Sequence, residues 1–381
     1  VPDILCKTVA VIGAGLSGLQ AAHLLAEAGI DHVLIEARNR VGGRILSVGE
    51  NQAADGPYDL GPSWYWPTIQ PPMAALVDEL GLSAFQQYAE GDMLFERAAG
   101  QVPQRFSGYA QVPAPMRLVG GTGALVRALL PRLQPGTLML GTRVRALRLA
   151  SDGIELGLAR GGGHTSLCAE HVIVTVPPRL LANAVQFEPP LDPSVARRWR
   201  ETPTWMAPHA KFVALYDRPF WRHAGLSGDA QSAVGPLAEI HDASTAEGKA
   251  ALFGFVGVPA DRRALAGEAA LKRACLDQLV RLFGEEARAA RALLLKDWAA
   301  DPLTATAEDP ISAGHPTSHE EPWVSDRWRT RVTLAGSETS PINSGYLAGA
   351  VAAANRAVQE LLVRLTPAAT TTHPTENPEC A

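Results

Sequence analysis

The stretch TVAVIGAGLSG, residues 8–18, decides the fold. Its β-branched apolar run reads as a short buried strand, and LSGLQAAHLLAEAG (16–29) continues as an apolar helix that ends at Gly29. Between them Gly13, Gly15 and Gly18 spell GxGxxG where the physics requires it, after a strand and before a helix. Gly13 suits a tight turn, Gly15 lets a pyrophosphate approach the backbone, and Gly18 permits close helix packing. The helix opens at Leu16 and Ser17, where unpaired N–H groups and a positive dipole end favour an anion. HVLIEA (32–37) is a second strand, and Glu36 at its end lies at the distance from the glycines expected of a ribose-binding carboxylate. Its charge disfavours an extra ribose phosphate. A strand–helix–strand unit of this kind predicts a parallel sheet with a right-handed crossover.

The rest of the 381-residue chain is longer than one ordinary core supports, so two domains, or one with a large insertion, are expected. A 46% hydrophobic, 19% charged composition is that of a soluble globular protein, and a net charge of -5 without clustered Lys and Arg argues against a nucleic-acid surface. No apolar run reaches about 18 residues, so no membrane span is expected. The apolar start at Val9 is too short and too soon broken by glycine for a secretory signal, and a first residue other than Met leaves room for an upstream segment. Cys6, Cys168, Cys275 and Cys380 lack metal-ligand or CxxC spacing, so neither a disulfide framework nor a metal site is expected, and a reduced, cytoplasmic setting fits. Cys275, at helical spacing with Leu271, Leu279 and Leu282, reads as a small core residue.

From about Pro67 to Met116 the pattern turns irregular, an excursion into another domain. GGTGALVRALLPRL (120–133) marks a return, followed by strand-like TRVRALRLA, GIELGLA and HVIVTVPP. Mixed strands and helices fill about 190 to 320, RVTLAGSE restores the strand-into-glycine pattern, and GYLAGAVAAANRAVQELLVRL closes the fold as a helix. The Thr- and Pro-rich residues 366–381 lack an apolar period and are expected to be disordered.

EARNRVGGRILS (36–47), directly after Glu36, resembles the flavin-containing amine oxidases, in which such a run follows the second strand of the FAD-binding fold. DLGPSW (59–64), VGGTGALVRAL and LAGSETSPINSGYLAGAVAAANRAV (334–358) extend the resemblance over residues 8 to about 365. It implies an α/β FAD-binding Rossmann-like (GR2-type) domain, residues 1–70, 117–188 and 299–365, with an inserted α+β substrate-binding domain, 71–116 and 189–298. It also implies noncovalent FAD. The cofactor-binding set would be Gly13, Gly15, Leu16, Ser17, Gly18, Glu36, Ala37, Arg38, Gly43, Arg44, Gly61, Pro62, Ser63, Val144, Gly336, Glu338, Tyr346 and Leu347. The residues themselves suit this, since guanidinium groups make bidentate phosphate contacts and paired glycines allow close backbone approach.

In HAKFVALYDRPFW (209–221), Lys211 interrupts an apolar strand. Alternation alone allows an outward-facing lysine. The resemblance gives it another role, because relatives carry a lysine before an aromatic P-F-W that holds a water against the flavin; a desolvated lysine there has a lowered pKa. KDWAADPLTATAEDP (296–310) resembles the segment that brings a tryptophan, here Trp298, to the flavin. The covalent cysteine of some relatives is matched by Ala307, and a substrate-sandwiching aromatic by Glu308, leaving Tyr346 as the other half of the cage. Trp64, Tyr65 or Trp66 could complete it, and Trp64 and Trp66 are the candidate pocket residues.

The implied reaction is oxidative deamination of a primary or secondary amine to an imine and then an aldehyde, with hydrogen peroxide formed from dioxygen; a homodimer is the candidate assembly. An L-amino acid oxidase on the same fold would need a cation for the substrate carboxylate; PSWYWP offers none, though Arg97 or Arg105 could. A noncatalytic flavoprotein is the other rival. His315 and His319 sit four apart, but Pro316 disfavours the helix that a metal pair would need.

Overall fold

Two sheets organise the chain, which the computed structural model describes at residues 6–53, 55–108, 111–309, 315–316, 322–324 and 326–366. In the first, five strands run parallel in the spatial order Val332–Leu334, Gly163–Val174, Cys6–Ile12, His32–Ile35 and Leu138–Met139. The strand Gly163–Val174 changes partner along its length. Its amino-terminal half pairs antiparallel with Ile154–Arg160, which pairs in turn with Thr142–Leu149, and its carboxy-terminal half pairs with Val332–Leu334.

The unbroken apolar run at Val9–Ile12 follows from burial on both faces. Val9 and Val11 face one core, built with the helices Leu16–Glu27, Gly123–Leu129 and Leu347–Leu365. Ala10 and Ile12 face the other, built with the antiparallel strands and with Phe187, Val195 and Trp199. Each fully buried Leu or Val is worth roughly 1.5–3 kcal/mol relative to exposure, which holds the central strand rigid beneath the glycine turn.

The second sheet runs Ala292–Asp297, Ala210–Tyr216, Ala250–Val256, Leu237–Asp242, Leu226–Ser232, Asp92–Glu96, Gln104–Phe106. One face of Ala210–Tyr216 places Phe212 and Ala214 under the helix Glu268–Phe283, where Cys275 is buried with Leu271, Leu279 and Leu282 and its thiol is pushed up to about 12 by desolvation. The opposite face places Val213 and Leu215 against Val48, Tyr58 and Leu60 of the first half. All seven residues of this strand are buried, so the outward-facing choice for Lys211 does not exist.

Two sequence expectations are corrected here, and a third falls outside the described residues. The helices Pro71–Glu79 and Pro193–Glu201, expected in the substrate-binding part, bury Met73, Leu76 and Val77, and Val195 and Trp199, in the two cores of the first sheet. Their apolar faces are complementary to those cores, which composition along the chain does not reveal. Cys6 and Cys168 form a disulfide, their Cα atoms 4.4 Å apart, because in-register parallel pairing sets these residues opposite one another across 162 positions of sequence. The proposed disordered tail lies outside the described residues beyond 366. Among the described residues no helix is long and apolar enough to cross a membrane.

Candidate active site

The turn after the first strand is locked from beneath. Gly13 takes φ +100°, and Thr175 donates its hydroxyl to the carbonyls of Ile12 and Gly13 at 2.9 and 2.8 Å. A Cβ on Gly18 would stand 1.8 Å from the Gly13 carbonyl oxygen, so Gly18 serves helix packing and does not line the cavity above. A Cβ on Gly15 would meet no protein atom within 4 Å; it would project into open space at the helix amino terminus.

That space is one end of a single cavity of about 690 Å³. Gly13, Gly15, Leu16, Ser17, Glu36, Ala37, Arg38, Gly43, Arg44 and Val144 line this end. Glu36 is buried, and its carboxylate accepts from the amides of Ala14 and Arg38, both at 2.8 Å, which fixes it while leaving lone pairs for hydroxyl donors. Arg38 is anchored by Asp301 at 3.0 Å and Thr304 at 2.8 Å. Arg44 forks onto both oxygens of Glu338 at 2.6 and 3.1 Å and also reaches Ser337 and the Trp205 carbonyl. Glu338 is fully buried and holds Arg44 from behind rather than lining the cavity, and Gly336 packs against the Val176 carbonyl. These two sequence-expected residues therefore lie outside the lining, with Ser337 in their place.

The other end is formed where the sheets meet. Gly61, Pro62, Ser63, Trp64, Trp66, Lys211, Trp298, Tyr346 and Leu347 line it. Trp298 donates its indole N–H to the Leu60 carbonyl at 2.9 Å and so fastens the DLGPSW segment. Lys211, 3% exposed, donates to the Gly61 carbonyl at 3.0 Å and the Ser63 hydroxyl at 2.6 Å, with its ammonium 4.1 Å from the Phe253 ring centre. Desolvation pushes its pKa down to about 7, opposed by the negative charge of Asp59.

Tyr346 does not stand alone. Its ring lies 6.3 Å from Trp66, nearly perpendicular, 6.3 Å from Trp205 and 4.9 Å from His315. His315 is stacked 3.9 Å from Trp205. Tyr65 turns away into the first core. Sequence reasoning missed Trp205, whose only signal was an aromatic in the irregular stretch before Lys211, and set His315 aside; His319 lies outside the described residues.

Glu308 is a correction. It is exposed, bonded to Asn183 at 3.2 Å and Thr306 at 3.4 Å, and does not line the cavity. Its neighbour Asp309 turns inward to a buried ion pair with Arg179 at 2.7 Å and accepts from the amides of Thr204 and Thr306. Neither rival cation for a carboxylate reaches the cavity either: Arg97 is exposed, and Arg105 is held by Asp92 and the Ala224 carbonyl.

Residues 16–109 and 103–362 match the family described as flavin containing amine oxidoreductase. The chain belongs to that family. It is 23% identical to a probable flavin-containing monoamine oxidase A of Dictyostelium discoideum, over 94% of this chain and 98% of that one. It is 25% identical to putrescine oxidase of Kocuria rosea, over 74% and 80%. Among solved structures, cyclohexylamine oxidase from Brevibacterium oxydans IH-35A superposes with a TM-score of 0.76 at 21% identity, covering 96% of this chain and all of that one.

The cofactor of this oxidoreductase family, FAD, fits the residues present. The open space over Gly15, the helix amino terminus and the fixed Glu36 carboxylate suit a dinucleotide, and the cavity continues from them without a break to Lys211. No thiol among the described residues lines the cavity, since Cys6 and Cys168 are joined and Cys275 is in the second core, which agrees with a noncovalently held flavin.

Proposed function

We propose that the protein oxidises amines to imines, with dioxygen as electron acceptor and hydrogen peroxide as product. The observation that carries this reading is the single cavity joining the glycine turn to Lys211 and an aromatic box. When bound, FAD supplies the two-electron redox chemistry, oxidation of the amine and reduction of dioxygen. Arg38, Arg44 and the helix amino terminus hold its diphosphate, and Glu36 its ribose.

Lys211 is set to hold a water at the reactive end of the cavity, since an uncharged amine with a pKa of about 7 both donates and accepts. In its protonated form it stabilises negative charge developing on dioxygen. Tyr346, Trp205 and Trp66 exclude water and present ring faces to an amine. Water then hydrolyses the released imine. The amino-acid alternative loses support because Arg97 and Arg105 are not in the lining, whose arginines, Arg38, Arg44 and Arg143, stand with the dinucleotide-end residues, while Glu239 near Lys211 would repel a carboxylate.

The test is anaerobic mixing of the purified holoprotein with primary, secondary and polyamines and with L-amino acids. Flavin absorbance is followed to bleaching and then, on admitting air, to recovery. Bleaching by amines with rapid recovery and stoichiometric peroxide is expected. A protein that purifies without FAD, or a flavin that no amine reduces, overturns the reading.

A further inference from the structure

We propose that Glu239 is the anion of a second-cation subsite, so that the cavity prefers amines bearing two cationic groups, one reacting at the Lys211 end and one facing Glu239. This deepens the amine-oxidation reading and rests on it for the identity of the reacting group. Lys211 and Glu239 both pair with Phe255, from either side, so the three side chains form one cross-strand row, and all three line the cavity. The backbones of Lys211 and Glu239 are therefore two strand spacings apart, roughly 10 Å. Between them lies Phe255, with Phe253 beside it in the next row of the same face, a surface suited to methylene groups.

The charge at this end is built rather than incidental. Glu239 Oε1 lies 2.8 Å from His241 Nε2, and His241 Nδ1 lies 2.8 Å from Asp229 Oδ1. His241 and Asp229 are buried, and Trp64 packs edge-on 4.8 Å from the imidazole. Burial disfavours the imidazolium, but hydrogen bonds to Asp229 and Glu239 outweigh it and raise the histidine pKa, while the bond to His241 lowers that of Glu239. Two carboxylates flank a single imidazole, so the cluster keeps a net negative charge whether or not the imidazole is protonated, and its outer member is the cavity-facing Glu239. The second Glu239 oxygen has no side-chain donor among the described residues. Among the lining residues the only other acid is Glu36, at the far end and already engaged by two backbone amides.

The test uses the FAD holoprotein and two probes without a free amine to oxidise, 1,4-bis(guanidino)butane and butylguanidine, titrated by the shift in flavin absorbance. The dication is expected to bind at least 10-fold more tightly than the monocation. Glu239→Gln should weaken the dication roughly 10- to 100-fold and leave the monocation within about twofold, with kcat/KM falling on a diamine and not on a monoamine. Glu239→Asp should recover part of the dication preference. Equal binding of the two probes, or equal losses on both with Glu239→Gln, overturns the subsite. If the probes behave as expected but no amine reduces the flavin, the subsite stands and the oxidation reading fails.

Discussion

The two ends of the cavity are made by different means. The dinucleotide end is backbone: a glycine turn, amides at a helix amino terminus, and a glutamate within one βαβ unit of about thirty residues. The amine end is side chain: Ser63, Lys211, Glu239, Phe253, Trp298 and Tyr346 arrive from separate segments and meet only because two sheets and a closing helix converge. The first kind of site tolerates almost no substitution where the backbone passes closely. The second can be retuned one side chain at a time.

The largest effect expected from this contrast is at Gly18. Gly18→Ala sets a Cβ 1.8 Å from the Gly13 carbonyl oxygen, backbone against backbone, and should cost about 4 kcal/mol or more and abolish flavin retention; thermal unfolding and flavin content check it. If Gly18→Ala folds and binds FAD normally, the claim that this end is rigid backbone fails.

At the other end, Lys211→Met tests desolvation through pH. The folded lysine has a pKa near 7 and the unfolded one near 10.5, so between those values the unfolded chain binds the extra proton and native stability rises with pH. The penalty on the native state is in force below pH 7 and is relieved by about 10.5. The wild-type protein should therefore gain on Lys211→Met by up to about 1.4 kcal/mol per pH unit across that window. Unfolding curves of both proteins at pH 6 to 10 read this, and parallel pH profiles would mean that the lysine is hydrated.

Trp205→Ala opens the aromatic box without touching the glycine turn. It should raise KM for amines roughly 3- to 30-fold, the worth of a cation–π face of about 0.5–2 kcal/mol, with flavin content unchanged. Smallest of all, Glu308→Gln should change stability by no more than about 0.5 kcal/mol and leave kcat/KM unaltered, since Glu308 is exposed and away from the cavity. A KM shift there would bring the loop back into the site.

The same contrast explains what could be read before the structure. The glycine turn, Glu36 and the Arg38–Arg44 run were legible because their signature lies within one stretch of sequence, although Thr175, Asp301 and Thr304, which brace them from far along the chain, were not. Lys211 was legible only through the resemblance of its strand. His241 and Glu239 were not, because their roles depend on strand register and on which face of the second sheet looks inward, and a one-residue slip would exchange those faces; Trp205 was not, because it sits in a turn with no periodic pattern to mark its direction. Glu308 and Asp309 show the limit sharply: adjacent acids in one loop, of which one meets solvent and the other a buried arginine.

The disulfide between Cys6 and Cys168 acquires a meaning from the strand it closes. It clips together the entry ends of two parallel neighbours whose exit ends, Ile12 and Val174, lead to the glycine turn and to Thr175. The Thr175 hydroxyl, its one proton shared between the Ile12 and Gly13 carbonyls, sets the alignment at the exit, and the covalent bond sets it at the entry. The pair is thus pinned at both ends like a rail, and sliding of one strand past the other, which would carry the turn away from its seat, is closed off as a mode of failure.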